Sequence, residues 1–313
     1  MNAATQREQV LAEVDQIRRA LRRGVYAPHK PLMLLLALAH LQRGEARLQP
    51  FAAYDQELKA LLTQFGPSSA PGSRHYPFWH LRTDGNGSLW DLKGPATLLE
   101  RPPGATPNLG ELRSTGIEAG FSPAVYEALR RDPGLLVEIA ARLLTTTFPP
   151  SLHEDLIQVL GLDMSSDARR LAEPEAPAYG KPAVSKRRRD AGFRDEVLRA
   201  YEYRCCICGF DLRVSHMPVG LEAAHIQWHT ANGPDLVVNG LSLCATHHKM
   251  FDMGAFTVEP LEHRIVFSQH AIGAAQMQFH GRPMISPQSP AMNPGAEYLA
   301  WNQKNIFKTP VRQ

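Results

Sequence analysis

Leu221-Glu222-Ala223-Ala224-His225-Ile226, a loop containing Gly233-Pro234, then Asn239-Gly240-Leu241-Ser242-Leu243 and Cys244-Ala245-Thr246-His247-His248-Lys249-Met250-Phe251-Asp252 form the stretch whose reading decides the architecture. Two short apolar runs flanking a Gly-Pro loop read as strands. His248, a few residues after the second run and directly after His247, is expected to open a helix through Lys249, Met250, Phe251 and Asp252. Just upstream, Cys205-Cys206-Ile207-Cys208-Gly209 holds a C-x-x-C pair in a tight turn, which lets two thiolates share one tetrahedral ion. Cys244 and His247 repeat that spacing, so Cys205, Cys208, Cys244 and His247 are expected to close a structural Zn2+ site. Cys206 is left over and reads as a small buried thiol. The pattern predicts strand, loop, strand and helix, stapled by zinc.

Working outward, 313 residues with 43% hydrophobic content suffice for two domains, each with its own core. The longest apolar run, Leu32 to Leu41, is about half the roughly 20 residues of a membrane-spanning helix and reads as a buried one. The opening MNAATQREQVLAEV lacks the apolar stretch of a secretory signal, and a cytoplasmic location without membrane attachment is expected. Three of the four cysteines fall between Cys205 and Cys208, too local for a disulfide framework. A net charge of +3 and a pI near 8.7 do not by themselves identify a nucleic-acid binder. Basic residues concentrate at Arg18, Arg19, Arg22 and Arg23, and at Lys186, Arg187, Arg188 and Arg189; each cluster reads equally as a phosphate contact or as a solvated surface.

Val10, Val14, Ile17 and Leu21 recur at helical spacing and predict a first helix stopping near Gly24. Pro31 then opens a second helix over Leu32 to Leu41, and a third covers Tyr54 to Phe65. Tyr76-Pro77-Phe78-Trp79 leads into an expected strand through Leu81, which the Asp84-Gly85-Asn86-Gly87 turn joins to Leu89-Trp90-Asp91-Leu92 as a hairpin. Helical periodicity returns from Pro123 to Leu160, broken at Pro133 and Pro149-Pro150. The expected class is α+β. Residues 1–162 form a mostly helical domain with a small hairpin, 163–190 a linker rich in Ala, Pro, Glu and Ser, 191–285 the zinc-stapled unit opened by a helix over Phe193 to Tyr203, and 286–313 a surface tail.

Residues 192 to 270, through LEAAHI and NGLSLCATHHKMFD, resemble the HNH nucleases of the ββα-metal group. Phosphodiester hydrolysis needs a water deprotonated near neutral pH and a cation to stabilise developing charge, and an imidazole with a divalent ion meets both needs. The resemblance implies that His225 is the general base, that Asn239 braces the loop orienting it, and that His248 binds a catalytic Mg2+ or Mn2+. Many such enzymes carry an acidic residue or a second histidine just before the base, where this chain has Ala224; Glu222 is the candidate replacement ligand, weighed against a solvent-facing side chain. His229, His263, His270 and His280 read as hydrogen-bonded structural histidines, and Phe251 and Asp252 as packing and capping the helix.

An HNH core needs a separate reader to choose its target. Ala27-Pro28-His29-Lys30-Pro31 and Tyr76-Pro77-Phe78 resemble the sulfur-binding domain of phosphorothioation-dependent McrA-type restriction endonucleases, which join that domain to an HNH unit in the present order. That resemblance implies a cup formed by Tyr76 and Pro77, with His29 and Lys30 approaching from a helix start. His80 stands where the family has a small residue. Arg74, Arg82 and Arg101 are candidates for phosphate or base contacts or ordinary surface arginines, and Tyr76-Pro77-Phe78-Trp79 also reads as a loop held by buried aromatics. The expected function is a type IV restriction endonuclease acting on phosphorothioated double-stranded DNA, possible as a homodimer. The alternatives are an HNH nuclease for methylated or unmodified DNA, and a non-catalytic zinc-containing DNA-binding module.

Overall fold

The computed structural model describes residues 3–22, 25–67, 70–102, 104–164 and 191–313, which fall into two compact units, one up to residue 164 and one from 191 onward. The basic residues Arg23 and Lys186 to Arg189 lie outside the described residues, as does the Arg22 side chain.

The first unit is built around a helix that is apolar on every side and must therefore be surrounded. That helix, α2 (His29–Gln42), is buried from Pro31 to His40. It packs against α3 (Phe51–Phe65), α4 (His75–His80), α8 (Pro133–Thr147) and α9 (His153–Leu160). Pro31 occupies the first turn, where a missing N–H costs nothing. Before it, α1 (Ala3–Asp15) ends well short of Gly24. The chain instead forms β1 (Leu21–Arg22) and β2 (Val25–Tyr26), leaving Leu21 exposed rather than on a helix face. Between α4 and α8 lie the short α5 (Ala96–Leu99), α6 (Leu109–Ser114) and α7 (Pro123–Arg131). Pro133 and Pro150 interrupt the last helices as their lack of a backbone donor requires.

Two expectations in this unit are corrected. The segment expected as a strand over 76–81 is helix α4, with Pro77 in its first turn and Phe78, Trp79 and Leu81 buried. An aromatic run has high strand propensity, but here burial against α2 decides the conformation. The turn at Asp84 to Gly87 closes by a 2.8 Å backbone hydrogen bond, yet it makes no hairpin. Its following strand, β4 (Trp90–Lys93), pairs antiparallel with β5 (Glu118–Phe121), and β5 also pairs with β3 (Gln49–Pro50). Trp90 ties the sheet to α4 through its indole N–H, which donates to the Phe78 carbonyl at 3.1 Å.

The second unit opens with α10 (Ala191–Ala200) and a small pair, β6 (Arg213–Val214) and β7 (Met217–Pro218). Its centre is β8 (Leu221–His225) against β9 (Gly240–Cys244), followed by α11 (Ala245–Asp252), so the helix starts three residues before His248. β10 (Phe256–Val258) and β11 (Ile265–Phe267) form a second ribbon, followed by α12 (Ala274–Met277) and α13 (Ala296–Asn305). The C-terminal segment is not a surface tail. Leu299 joins the core, Ile306 and Phe307 are buried, and the Thr257 hydroxyl donates to the buried side-chain Oδ1 of Asn302 at 2.8 Å. Its Pro, Asn and Gln content disguised the buried face, because Leu299 and Ile306 are widely spaced. Among the described residues, no helix is long and apolar enough to cross a membrane.

Gly254 makes this docking possible. Its φ is +71°, and a Cβ there would lie 2.1 Å from the Ile306 carbonyl oxygen. Gly254→Ala should therefore cost the second unit roughly 2 kcal/mol from left-handed strain and overpacking. Urea unfolding would show this as a lowered midpoint; an unchanged midpoint would mean that the C-terminal segment does not belong to the core.

Candidate active site and reader face

The paired strands place His225 opposite Gly240 and Leu221 opposite Cys244. Gly240 is needed at that position because a Cβ would lie 2.4 Å from Val197 on α10. Without one, α10 lies close enough for the Phe193 ring to stack on His225, with centroids 4.1 Å apart and planes 17° apart. His225 Nε2 lies 2.7 Å from Asp235 Oδ1. Burial holds the imidazole below its ordinary range, with the Asp235 carboxylate opposing but not reversing that shift. A neutral imidazole with Nε2–H donated to Asp235 leaves Nδ1 as the basic nitrogen. Ala224, just before His225, is buried and offers no metal-binding atom.

Asn239 is fully buried and latches the loop between the strands. Its Oδ1 accepts from the Gln227 N–H at 2.9 Å, and its Nδ2 donates to the Gln227 and Pro234 carbonyls at 3.1 and 2.9 Å. A primary amide offers two N–H donors beside its acceptor oxygen, which matches the one N–H and two carbonyls that Asn239 satisfies. Pro234 precedes Asp235, so the latch also positions the carboxylate facing the base.

His248 projects from α11 between two carboxylates. Nδ1 lies 2.5 Å from Glu222 Oε2, and Nε2 lies 3.1 Å from Asp252 Oδ2. Burial opposes charge on this ring, but Asp252 and Glu222 outweigh it and push the pKa up to about 10. The arrangement stabilises positive charge. Asp252 is itself buried, and its Oδ1 accepts from the Trp228 indole at 3.0 Å. Asp252, expected only to pack and cap, is thus a member of this cluster, and its position four residues after His248 on one helix face was the available signal. Nothing in the sequence marked Asp235 or Phe193 as neighbours of the base.

At the opposite end of the ribbon, Cys205, Cys208, Cys244 and His247 each bring a ligand atom within 4.8 Å of the others. His247 Nδ1 lies 3.1 Å from Cys244 Sγ and 3.6 Å from Cys205 Sγ. Three thiols and an imidazole are a donor set suited to a tetrahedral ion, so the residues fit a bound metal. Cys206 points elsewhere, fully buried, and burial drives its thiol pKa well upward, as for an inert core thiol.

In the first unit, Tyr76 is 47% exposed on α4 and stacks on His80, centroids 5.7 Å apart and planes 12° apart, while Pro77 is buried beneath. His80 Nε2 lies 2.8 Å from the Thr106 hydroxyl, and burial together with the nearby Lys30 and Arg82 charges lowers its pKa. The Arg82 guanidinium lies 3.9 Å over the Trp79 ring. His29 Nε2 sits 2.9 Å from the Ala70 carbonyl. Three cationic candidates prove to be engaged internally. Lys30 pairs with Asp84, a buried carboxylate that Arg18 also meets. Arg74 is buried against Asp55, which Arg113 shares, and Arg101 chelates Glu111. Burial works against ionised Asp55, but Arg113 and Arg74 more than offset it and keep its pKa low. Arg74 is therefore corrected from a DNA contact to a structural partner, because a buried carboxylate must keep its cation, whereas Arg101 pairs with Glu111 at the surface.

Residues 7–165 match the family described as ScoMcrA-like, DNA sulfur-binding domain, and residues 205–259 match the HNH endonuclease family. No curated protein matches the chain. Among solved structures, the chain is similar to the sulfur-binding domain of SprMcrA complexed with phosphorothioated DNA, at 26% identity and a TM-score of 0.42, covering 52% of this chain and 98% of that one. The corresponding ScoMcrA domain complex gives 25% identity and a TM-score of 0.42, covering 51% and 96%. The type IV phosphorothioation-dependent restriction endonuclease ScoMcrA gives 27% and 0.40, covering 47% of this chain and 27% of that one. With the first match spanning half of its length, the chain belongs to the ScoMcrA-like DNA sulfur-binding-domain family, here joined to an HNH endonuclease domain.

Proposed function

We propose that this protein is a McrA-type, modification-dependent restriction endonuclease that reads phosphorothioated DNA with its first unit and hydrolyses a phosphodiester bond with its second. The observation that carries this reading is the ScoMcrA-like reader ahead of an HNH unit in which His225 faces Asp235, Asn239 latches the intervening loop and His248 lies between two carboxylates. HNH domains are metal-dependent, and a divalent ion such as Mg2+ or Mn2+, when bound beside His248, supplies stabilisation of the charge that grows on the phosphate and leaving oxygen. His225 accepts the proton of the attacking water at Nδ1, Asp235 holds the required tautomer and stabilises the imidazolium that forms, and Asn239 keeps both in register. Cleavage of both strands would take two copies, each supplying one such site.

His225→Ala should abolish cleavage while leaving DNA affinity within about twofold, since the base acts on water. The cleavage rate should rise with pH through an acid limb set by His225 below the ordinary histidine range, because only the neutral ring accepts a proton. Asp235→Asn removes an interaction that raises this pKa, so it should move the limb to lower pH and cut the plateau rate by roughly a hundredfold. A wild-type rate in the purified His225→Ala protein would sink the mechanism.

The Cys3His cluster we assign to structural zinc, separate from the ion beside His248. Elemental analysis should find one zinc per chain, and Cys208→Ala should lose it and melt the second unit cooperatively. Well-folded protein free of zinc would refute the assignment.

For the reader, sulfur is larger and more weakly hydrated than oxygen, so the apolar ring wall of Tyr76 and neutral His80 favours it, while Arg82 at the rim meets the remaining charge. A few such contacts at about 1 kcal/mol each imply roughly hundredfold preference for a phosphorothioated duplex over the same sequence with ordinary phosphate. Fluorescence anisotropy with the cleavage-deficient His225→Ala chain measures this. Tyr76→Ala, at an exposed position, should reduce the preference to about tenfold while plain DNA binding persists. Equal affinity for both duplexes would leave a reader of methylated or unmodified DNA.

A further inference from the structure

We infer that the catalytic ion of the second unit is held by His248 Nε2 together with Asp252, and that Glu222 is not a ligand but the positioning carboxylate on the other ring nitrogen. This rests on the reading of His248 as a metal ligand. An imidazole presents its two nitrogens in diverging directions, so one ion takes one of them, and a ligating histidine commonly donates its other N–H to a carboxylate. The distances divide the two roles. Asp252 Oδ2 lies 3.1 Å from Nε2, close to the roughly 3 Å that separates adjacent ligands of an octahedral ion bound at about 2.1 Å. Glu222 Oε2 lies 2.5 Å from Nδ1, a short charge-assisted hydrogen bond with no room for an ion between the atoms.

The setting of Asp252 supports the same division. Its side chain is 1% exposed, against 49% for Glu222. A buried carboxylate is kept ionised by a cation, whereas an exposed one needs none. Its second oxygen is fixed by the Trp228 indole at 3.0 Å, three residues after the base. The aim of Oδ2 is therefore set by the loop that directly follows His225, so the ion and the base are held by one contact chain. Glu222 reaches His248 from the body of β8 and turns the ring toward Asp252.

The test is Mn2+ binding to the zinc-loaded, full-length protein, followed by the EPR signal of free Mn2+, which is independent of cleavage. Wild type should bind one ion beyond the zinc. Asp252→Asn should weaken binding on the order of a hundredfold, and Glu222→Gln about tenfold, the effect of losing an orienting partner. Asp252→Asn within threefold of wild type, or Glu222→Gln weaker than Asp252→Asn, overturns the inference. His248→Ala with undiminished Mn2+ affinity instead overturns the reading on which it rests. Should Asp252→Asn lose its zinc through misfolding, wild-type protein gives the answer. The Trp228 indole N–H resonance, assigned among four tryptophans with Trp228→Phe, should shift on saturation with Mg2+ and stay fixed in His248→Ala. A resonance unmoved by Mg2+ in wild type overturns the inference as well.

Discussion

The antiparallel register that sets His225 opposite Gly240 governs the second unit, because the ribbon carries a different chemistry at each end. A slip of one residue would turn every side chain to the other face. Three contacts prevent it. The buried Asn239 amide closes the loop at one end, the Cys206 N–H donates to the Ser242 carbonyl along the edge, and the Cys3His cluster gathers Cys244 with the turn at Cys205 at the other end. Gly240 then admits α10 against the ribbon, which brings Phe193 onto the base. The environment of His225 is thus a consequence of strand pairing rather than of its neighbours in sequence.

Buried carboxylates organise both units, but their partners differ in kind. In the first unit, Asp55 and Asp84 are met by arginines and a lysine, groups that stay charged across the accessible pH range. Those contacts are permanent and structural. In the second unit Asp252 meets an imidazole, which can exchange its proton for a metal ion. The same economy of buried charge therefore yields a rigid scaffold in one place and, on the proposed reading, an ion-binding site in the other. It also explains why the arginines of the reader domain cannot be ranked by their sequence positions. Arg74 and Arg101 are held by Asp55 and Glu111, whereas Arg82 lies over the Trp79 ring, close enough for His80 to feel its charge.

On the proposed reading, affinity and selectivity for DNA come from different atoms. Charge on the rim attracts any phosphate, whereas the Tyr76 ring and a stacked His80 ring kept neutral by burial and by neighbouring cations distinguish sulfur from oxygen. His80, larger than the residue its position implied, becomes part of that wall, since its ring lies nearly parallel to Tyr76 and its far nitrogen is satisfied by Thr106.

The sequence by itself determined the elements whose signals are local. Paired C-x-x-C and C-x-x-H spacings located the Cys3His cluster, the apolar runs located β8 and β9, and the uninterrupted apolar stretch after Pro31 located the central helix. Strand position put Glu222 forward as a candidate metal ligand, but not its contact with His248 Nδ1. Only the tertiary structure decided the rest. β4 pairs with a strand 25 residues beyond its end, 76–81 is helical because α2 buries it, and the C-terminal helix belongs to the core because Gly254 admits the Ile306 carbonyl. Asp235, Asp252 and Phe193 reach the two histidines, and Asp55 and Glu111 engage Arg74 and Arg101. The physical reason is common to all of these. Spacing along the chain constrains groups within a turn or a strand, whereas the partner of a buried charge or an unpaired strand edge is chosen by which distant segment can satisfy it in three dimensions.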